Sequence, residues 1–354
     1  MDIVIGAGIS GLSYAAFSPG RNCLVLEADR RIGGYCKTTR RSGFVWDCSG
    51  HFFHFRNPEI KDFVMAGIHP DLLLTVRKST RIRYKDRMVD YPFQKNIHQL
   101  EKEEFIDCLY DLFNGGGAYG TFKEMLYARF GKSISEKFLC PYNRKLYACD
   151  LDLLDKDAMG RFFPYADPVE IVRNFRRKES GAYNDTFIYS KEGAQSFVDS
   201  IASHVDPDRI RTGARVVSVD PDKHEVRLAS GEILPYERLV STLPFPRLLD
   251  LCGIPYDARV YTANQVLVFN LGFDTKGPMR RTIGSISRRR STDSTGWAFM
   301  TTSWARTGLP SMWNSVSLPG TGSTRRPGCP AFWPTWRPRG SSAGSRTWST
   351  TRRS

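Results

Sequence analysis

The chain has 354 residues, which is enough for two or three domains with a sizeable core. Its formal net charge is +14, and its eight cysteines include no Cys-x-x-Cys pair, a pattern that predicts reduced thiols rather than a disulfide framework. No apolar run approaches the roughly 18 residues that a membrane span needs, so we expect no membrane segment, and we expect no metal site.

The first predicted element is a short apolar strand over residues 1–5, which runs into the turn Gly-Ala-Gly-Ile-Ser-Gly. A helix of small residues follows. Gly6 permits a tight turn, Gly8 lets the backbone approach a pyrophosphate, and Gly11 lets the helix pack closely on the strand. The pyrophosphate would lie at the positive end of the helix dipole. Because the first strand begins at residue 2, we expect no targeting peptide and a cytoplasmic location.

A second predicted strand, residues 23–26, ends in Glu27, and the pair Gly33-Gly34 comes six residues later. Glu27 stands where an acid accepts hydrogen bonds from a ribose diol. Strand, glycine turn, helix, strand and acid together predict a dinucleotide site. The alternative is a glycine-rich turn without a ligand.

Further along, residues 81–84 and 88–91 predict a hairpin around Lys85-Asp86-Arg87, and residues 100–145 are mainly helical in pattern. Strands are predicted over 186–189, 215–219, 225–228, 238–242 and 264–271. This order predicts an α/β protein: a Rossmann-like sheet with an inserted helical domain and an antiparallel sheet layer. We place the domains at 1–95, 96–180 and 181–279, followed by a basic irregular tail over 280–354.

The tail is unlike the rest of the chain. Residues 280–354 contain thirteen Arg, no Lys, one acid (Asp293) and six of the seven Trp, so their net charge is +12. A nucleic-acid or membrane arm is one interpretation, which we consider the weaker. The other is translation out of frame, since codon degeneracy permits a shifted reading of Asp293 to Thr307 that begins Phe-Tyr-Arg-Val-Gly-Phe-Tyr-Asp. We therefore expect little regular structure there and few contacts with residues 1–275.

Five further segments carry specific patterns. In chain order they are Ser49-Gly50-His51, Asp-Tyr-Pro-Phe-Gln-Lys-Asn-Ile at 90–97, Pro-Tyr-Asn-Arg-Lys-Leu-Tyr-Ala at 141–148, Asn-Asp-Thr-Phe at 184–187 and Leu-Val-Ser-Thr at 239–242. With the glycine turn, they resemble the UDP-galactopyranose mutase family, especially its eukaryotic type, over residues 1–275. The wider flavin amine-oxidase superfamily shares only the first and last of these features.

The resemblance implies a three-domain flavoprotein that holds FAD, since Gly33-Gly34 matches a second close turn at the flavin nucleotide. The implied reaction is ring contraction of a UDP-galactopyranose substrate to the furanose. Its nucleophile is N5 of the reduced flavin, which attacks the anomeric carbon and expels UDP. The protein's own task is to align diphosphate, flavin and sugar, and to stabilise charge on the departing UDP.

The resemblance also implies roles for individual residues. Arg161 matches a diphosphate arginine, and the alternative is an ordinary surface arginine. His51 would hydrogen-bond near the flavin N5, against a structural histidine. The nucleotide and sugar contacts are Tyr91, Gln94 and Asn184 around the uracil, and the pair Asn143 and Tyr147 beside the sugar. Turn and capping roles are the alternatives for the uracil set, and Tyr147 stands where the family usually has Trp.

The C-terminus departs from the family, whose second diphosphate arginine appears here only in the shifted frame. The chain could therefore be a mutase that has lost activity or FAD. Two other classes stay open: an amine-oxidase-type flavin oxidoreductase, and a non-catalytic truncated protein that binds a nucleotide or partner. A homo-oligomer is possible.

Overall fold

In the computed structural model, the described residues are 1–18, 20, 22–41, 43–48, 50–77, 80–160, 163–176, 186–261, 265–268, 284–291, 294–301, 312–314 and 316–318. The α-helices of this part are α1 (Ile9–Ala16), α2 (Pro58–Met65), α3 (Lys102–Phe113), α4 (Phe122–Ile134), α5 (Cys140–Tyr147), α6 (Pro168–Asn174), α7 (Gln195–Ala202) and α8 (Phe245–Cys252). The strands before residue 260 are β1 (Asp2–Ile5), β2 (Cys23–Leu26), β3 (Thr38–Arg41), β4 (Phe44–Asp47), β5 (Leu73–Arg77), β6 (Thr80–Tyr84), β7 (Arg87–Asp90), β8 (Thr186–Ser190), β9 (Ile210–Arg211), β10 (Val216–Asp220), β11 (Glu225–Leu228), β12 (Ile233–Pro235) and β13 (Arg238–Ser241). Those after it are β14 (Gln265–Leu267), β15 (Gly284–Ser291), β16 (Ser294–Thr301), β17 (Met312–Asn314) and β18 (Val316–Leu318).

A parallel sheet in the order β13-β1-β2-β9 organises the first part of the chain. Ile3 of β1 lies between Leu24 and Leu239, and β1 is buried along its whole length. A strand covered on both faces needs an apolar run rather than alternation, which explains the sequence Ile-Val-Ile. The turn after β1 opens into α1 at the carboxyl ends of these parallel strands, as predicted, and β13 is the returning strand.

The helical part has its own core, formed by α3, α4, a π-helical turn over Ser135–Leu139, and α5. Phe93, Phe122 and Phe130 are completely buried in it. Aromatic side chains each bury a large apolar area, which favours packing of the short helices around them. The helical insertion is therefore packed around its own apolar centre.

Helix α4 begins at a capping box. The Thr121 hydroxyl accepts the Glu124 N–H at 3.2 Å, and the Glu124 carboxylate accepts the Thr121 N–H at 3.0 Å. We expect Thr121→Ala to lower the free energy of unfolding by about 1 kcal/mol, because an orphan N–H loses its acceptor. Urea unfolding measures this, with Thr121→Ser as the control that keeps the hydroxyl. A Thr121→Ala protein as stable as Thr121→Ser would contradict it.

Antiparallel layers complete the fold. The β6–β7 hairpin forms where the sequence predicts it, with Lys85 in the left-handed region at φ +50°. Further antiparallel pairs are β3-β4, β5-β8 and β10-β11-β12. Parallel and antiparallel sheets together with the helical insertion confirm the predicted mixed α/β fold class. The domain boundaries at 95, 180 and 279 stay predictions.

The expectation of little regular structure after residue 280 is wrong for the described segments. Strand β15 pairs in parallel with β6, in the register Ile286↔Ile82, and in antiparallel with β16, so five strands run in the order β17-β16-β15-β6-β7. Strand β18 pairs with β14. An open edge strand offers backbone N–H and C=O groups to any extended segment, and Trp, Phe and Thr favour strands. Residues 280–283, 292–293, 302–311, 315 and 319–354 lie outside the described part, as do residue 264 and residues 269–271 of the predicted strand 264–271.

The described residues also bear on membrane, metal and disulfide sites. No helix there has the length and apolar character to cross a bilayer. No group of three or more His, Cys, Asp or Glu side chains there could hold a metal ion. The seven described cysteines are free thiols.

Candidate dinucleotide and substrate site

The glycine turn between β1 and α1 is closed so tightly that two of its positions exclude any side chain. Gly6 has φ +103°, and a Cβ there would lie 2.3 Å from the Thr242 hydroxyl oxygen. A Cβ at Gly11 would lie 1.9 Å from the carbonyl oxygen of Gly6. These contacts match the predicted roles of a tight turn and of close helix–strand packing.

Gly8 faces the second glycine turn across a narrow gap. A Cβ built on Gly8 would lie 3.9 Å from the Cα of Gly34, and one on Gly34 would lie 3.4 Å from the Cα of Gly8. Gly33 and Gly34 have φ of +124° and +54°. Gly8 is also the N-cap of α1 and has no side chain to accept the first N–H groups of the helix. Unfilled N–H groups beside bare backbone fit a pyrophosphate.

Glu27 follows β2 at the same edge of the sheet and points to the glycine turn. Its two carboxylate oxygens accept the N–H groups of Ala7 at 2.8 Å and of Asp29 at 2.9 Å, and the Lys37 ammonium lies 4.0 Å away. Each oxygen keeps a second lone pair, so the carboxylate can still accept ribose hydroxyls. The residues around this turn therefore fit the adenosine half of a dinucleotide.

His51 lies against the second glycine turn. Its Nε2–H donates to the Tyr35 carbonyl at 2.9 Å, one residue after Gly34, and this contact fixes the tautomer that carries the proton on Nε2. The structure thus brings together His51 and the turn that contains Gly33 and Gly34. A role of His51 toward a flavin remains a prediction.

A buried carboxylate near His51 was not among the residues that the sequence predicts for the site. Asp47, at the end of β4, is 1% exposed and accepts the hydroxyls of Thr38 and Tyr189. Burial raises the pKa of Asp47, while its hydrogen bonds and the nearby His51 act in the opposite direction. Burial also raises the pKa of Tyr189. No spacing in the sequence indicates this cluster, because its members come from distant segments.

Four of the predicted substrate residues belong to the helical part or pack against it. Gln94 lies in a 3-10 turn, and Asn143 and Tyr147 lie in α5. Tyr91 and Tyr147 pack against this core, and Tyr147 meets Phe122 edge-on at 5.8 Å. The buried Gln94 donates from Nε2 to the Pro164 carbonyl at 2.7 Å, which is a structural contact. Burial raises the pKa of Tyr142, which packs against the same core as Tyr91 and Tyr147. Tyr142 was not among the predicted site residues.

Asn143 has an unfilled acceptor in the same helix. The residue is 1% exposed, its Nδ2 donates to the Leu139 carbonyl at 2.8 Å, and its Oδ1 is buried and accepts no hydrogen bond in the described part of the chain. A buried amide oxygen without a donor costs about 1–3 kcal/mol unless a ligand supplies one. This position is therefore suited to a ligand hydroxyl or N–H.

The other two predicted residues, Arg161 and Asn184, lie outside the described residues. Whether all the substrate residues share one cleft with His51 therefore stays a prediction. A cavity of about 500 Å³ does lie on the helical part, lined by Tyr84, Asp111, Lys132, Ser133, Glu136 and Lys137. It contains none of the predicted site residues.

Lys145, two residues from Asn143, is 9% exposed, and burial lowers its pKa to about 8. Between pH 8 and the unfolded value of 10.5, the folded chain binds fewer protons than the unfolded chain, so its stability rises with pH in that window. Because Met does not titrate, we expect the gain in free energy of unfolding from Lys145→Met to be larger at pH 7 than above pH 10.5, by on the order of 2 kcal/mol. Urea unfolding at both pH values measures this. The exposed Lys132→Met is the control, and a Lys145→Met gain that does not depend on pH would contradict the prediction.

A glycine turn at the carboxyl ends of a parallel sheet, with an acid after the neighbouring strand, defines a dinucleotide-binding fold. The sequence profile described as flavin-containing amine oxidoreductase matches residues 9–322, and the chain belongs to this family. Membership implies a flavin cofactor, which the glycine turn and Glu27 fit.

Comparison with curated proteins finds shorter similarities. The chain is 26% identical over 173 residues to chloroplastic protoporphyrinogen oxidase of Nicotiana tabacum. The aligned segment covers 45% of this chain and 31% of that one. The chain is 48% identical over 52 residues to inactive all-trans-retinol 13,14-reductase of Danio rerio, covering 14% and 9%. The matches thus span less than a third of either relative.

Solved structures show the same fold over most of the chain. A reduced UDP-galactopyranose mutase superposes with a TM-score of 0.76 at 22% identity, covering 89% of this chain and 73% of that one. A putative protoporphyrinogen oxidase from Exiguobacterium sp. 255-15 superposes with a TM-score of 0.67 at 18% identity, covering 90% and 76%. At these identities the similarity shows the fold alone.

Proposed function

We propose that this chain has the design of a flavin-dependent UDP-galactopyranose mutase, which contracts the sugar ring of a UDP-linked galactopyranose. The observation that carries this is the Oδ1 of Asn143, which is buried and accepts no hydrogen bond from any described residue, in the segment that resembles the mutase sugar site. The mutase-like motifs at 90–97 and 141–148 support the same conclusion.

Each group of residues has a task in this proposal. The turn at Gly6, Gly8 and Gly11 and the Glu27 carboxylate hold FAD through its pyrophosphate and ribose. His51, which donates to the Tyr35 carbonyl, would lie beside the flavin half of the cofactor. The cofactor, in its reduced form, supplies the nucleophile. Asn143 accepts a sugar hydroxyl and Tyr147 offers an aromatic face.

The nucleotide end is assigned to the residues that match uracil and diphosphate contacts. Tyr91, Gln94 and Asn184 surround the uracil, and Arg161 pairs with the diphosphate and stabilises the charge of the departing UDP. Because Gln94 donates to Pro164 from Nε2, its part is to present the remaining amide oxygen.

The direct test is conversion of UDP-galactopyranose by the purified chain with FAD and dithionite, followed by chromatographic separation of the two ring forms. Furanose product that requires reduced flavin is the expected result. Flavin binding without any ring contraction, in a chain whose reading frame is intact, would refute the mutase assignment.

The diphosphate assignment predicts the effect of Arg161→Ala. Loss of a charge-assisted hydrogen bond to UDP should weaken nucleotide binding by roughly 1.5–3 kcal/mol. Titration calorimetry with UDP measures this, and Arg173→Ala, an exposed arginine on α6, is the matched control. Equal affinities for UDP in the two variants would remove Arg161 from the site.

A flavin oxidoreductase is the second candidate, favoured by the family match and by the similarity to protoporphyrinogen oxidase of tobacco. Oxygen consumption with protoporphyrinogen or with amines would support it. The same flavin-loaded protein can be given UDP-galactopyranose in parallel, so the two activities separate the two candidates.

We also retain the proposal that the arginine-rich segment from about residue 280 is read out of frame, with the second diphosphate arginine displaced into the shifted reading. Such a chain would lack part of the site and could be inactive. Sequencing the coding DNA across codons 275–300 decides this. An uninterrupted frame that encodes residues 280–318 as they stand would reject it.

A further inference from the structure

The buried carboxylate of Asp47 joins three segments that are far apart in the chain. It accepts the hydroxyl of Thr38 at the start of β3, the hydroxyl of Tyr189 in β8, and the N–H of Ala194 at 3.1 Å. The last two partners are 142 and 147 residues away in the sequence. A carboxylate with three donors and almost no exposed surface is a fixed junction rather than a solvated charge.

Hydrogen bonds and packing connect this junction to the second glycine turn at Gly33 and Gly34. The Thr38 hydroxyl oxygen also accepts the N–H of Gln195 at 3.0 Å. The Gln195 side chain lies directly against Gly33, where a Cβ would approach its Oε1 to 2.9 Å. Its Nε2 donates to Asp199 at 2.8 Å and to the Ile32 carbonyl at 3.4 Å. Asp47 is therefore connected through Thr38 and Gln195 to the backbone at Ile32 and Gly33.

Close packing keeps this connection rigid. Gly193 has φ +94°, and a Cβ there would lie 2.4 Å from the Thr38 hydroxyl oxygen and 2.8 Å from Asp47 Oδ1. The start of α7 can thus rest on Asp47 and Thr38 only because position 193 is glycine. Burial raises the pKa values of Tyr189 and Cys36, and the nearby Asp47 raises both further. Burial likewise raises the pKa of Asp47, and the nearby His51 acts in the opposite direction.

We propose that Asp47 is a positioning residue which, through Thr38 and Gln195, holds the Gly33–Gly34 turn in the shape that admits a flavin dinucleotide. The inference rests on the proposed flavin site, but its effect on the turn exists without the cofactor. Removing acceptors from the junction should loosen residues 30–37 first and weaken flavin binding as a result.

Hydrogen–deuterium exchange of the flavin-free chain tests the positioning itself. In Thr38→Val, a near-isosteric change that removes the link to Gln195, amides in residues 30–37 and 194–196 should exchange about tenfold faster. Tyr189→Phe removes one donor but leaves the Thr38 link, so its effect on residues 30–37 should be smaller. Asp47→Asn keeps the shape but replaces one acceptor by a donor, and should behave like Thr38→Val.

The matched control is Asp2→Asn. Asp2 is also a buried carboxylate, paired with Arg238 at 2.8 Å, but it lies at the amino end of β1, the end of that strand opposite the glycine turn. Its replacement should leave exchange in residues 30–37 unchanged relative to the rest of the chain. Faster exchange spread evenly over all peptides in Thr38→Val and Asp47→Asn would overturn the proposal, since it would show a general loss of stability.

Flavin titration provides the second arm. Thr38→Val should raise the Kd for FAD about tenfold, and Asp2→Asn should not change it. If the unaltered chain binds no flavin, the proposed function fails while the exchange experiment still decides the role of Asp47. If FAD binds equally to Thr38→Val and to the unaltered chain, the positioning role is refuted and the flavin assignment stands.

Discussion

Gly11→Ala should lower the free energy of unfolding by more than about 3 kcal/mol. Alanine normally stabilises a helix by about 1 kcal/mol relative to glycine. Here the added Cβ would lie 1.9 Å from the Gly6 carbonyl oxygen and 3.2 Å from Val4 Cγ1, so α1 must move away from β1. The steric cost outweighs the gain in helix propensity.

Thermal and urea unfolding of the flavin-free protein measure this loss. Ser10→Ala, an exposed position in the same helix, is the control that reports the propensity effect alone. Unfolding of Gly11→Ala at the same urea concentration as Ser10→Ala would mean that α1 does not pack on β1 as the structure shows.

Gly8→Val should have the opposite effect: the protein should keep its stability but retain no flavin. Gly8 has φ −81°, which any residue adopts, and a Cβ there meets only Gly34 Cα at 3.9 Å. The cofactor-free fold can therefore hold a larger side chain at this position. A pyrophosphate at the start of α1 cannot share the space with the valine methyl groups, so we expect FAD affinity to fall at least a hundredfold.

Flavin absorbance of the purified protein and FAD titration measure this effect, while the melting temperature of the flavin-free protein checks the fold. Gly20→Ala is the matched control, since a Cβ at Gly20 has no atom within 4 Å. Flavin retained by Gly8→Val would move the cofactor away from the glycine turn. The two glycine variants thus separate the packing role of Gly11 from the binding role of Gly8.

The helical part shows why the sequence predicts which residues are candidates better than it predicts their burial, hydrogen bonding or pKa. The Pro-Tyr-Asn segment marks Asn143 as a site residue because its neighbours form a recognisable pattern. The pattern does not indicate that Asn143 Oδ1 is buried without a donor, or that burial depresses the pKa of Lys145. Both depend on how α5 packs against the rest of the helical core.

Pairing between distant strands was also beyond the sequence. Strand β15 lies beside β6, about two hundred residues earlier in the chain, and composition alone suggested an irregular segment there. Backbone hydrogen bonding at an open sheet edge depends weakly on side-chain type, so a composition argument has little power against it.

What the sequence determined by itself is the local chemistry of the first βαβ unit. The spacing of Gly6 and Gly11 dictates a turn in which a side chain at position 11 would collide with the Gly6 carbonyl five residues earlier, and an apolar run dictates a strand buried on both faces. The tertiary structure alone decided that Asp47 meets Tyr189 and Ala194, and that Gln195 rests on Gly33. These contacts join residues separated by more than a hundred positions, and their geometry exists only after the sheets and helices have packed.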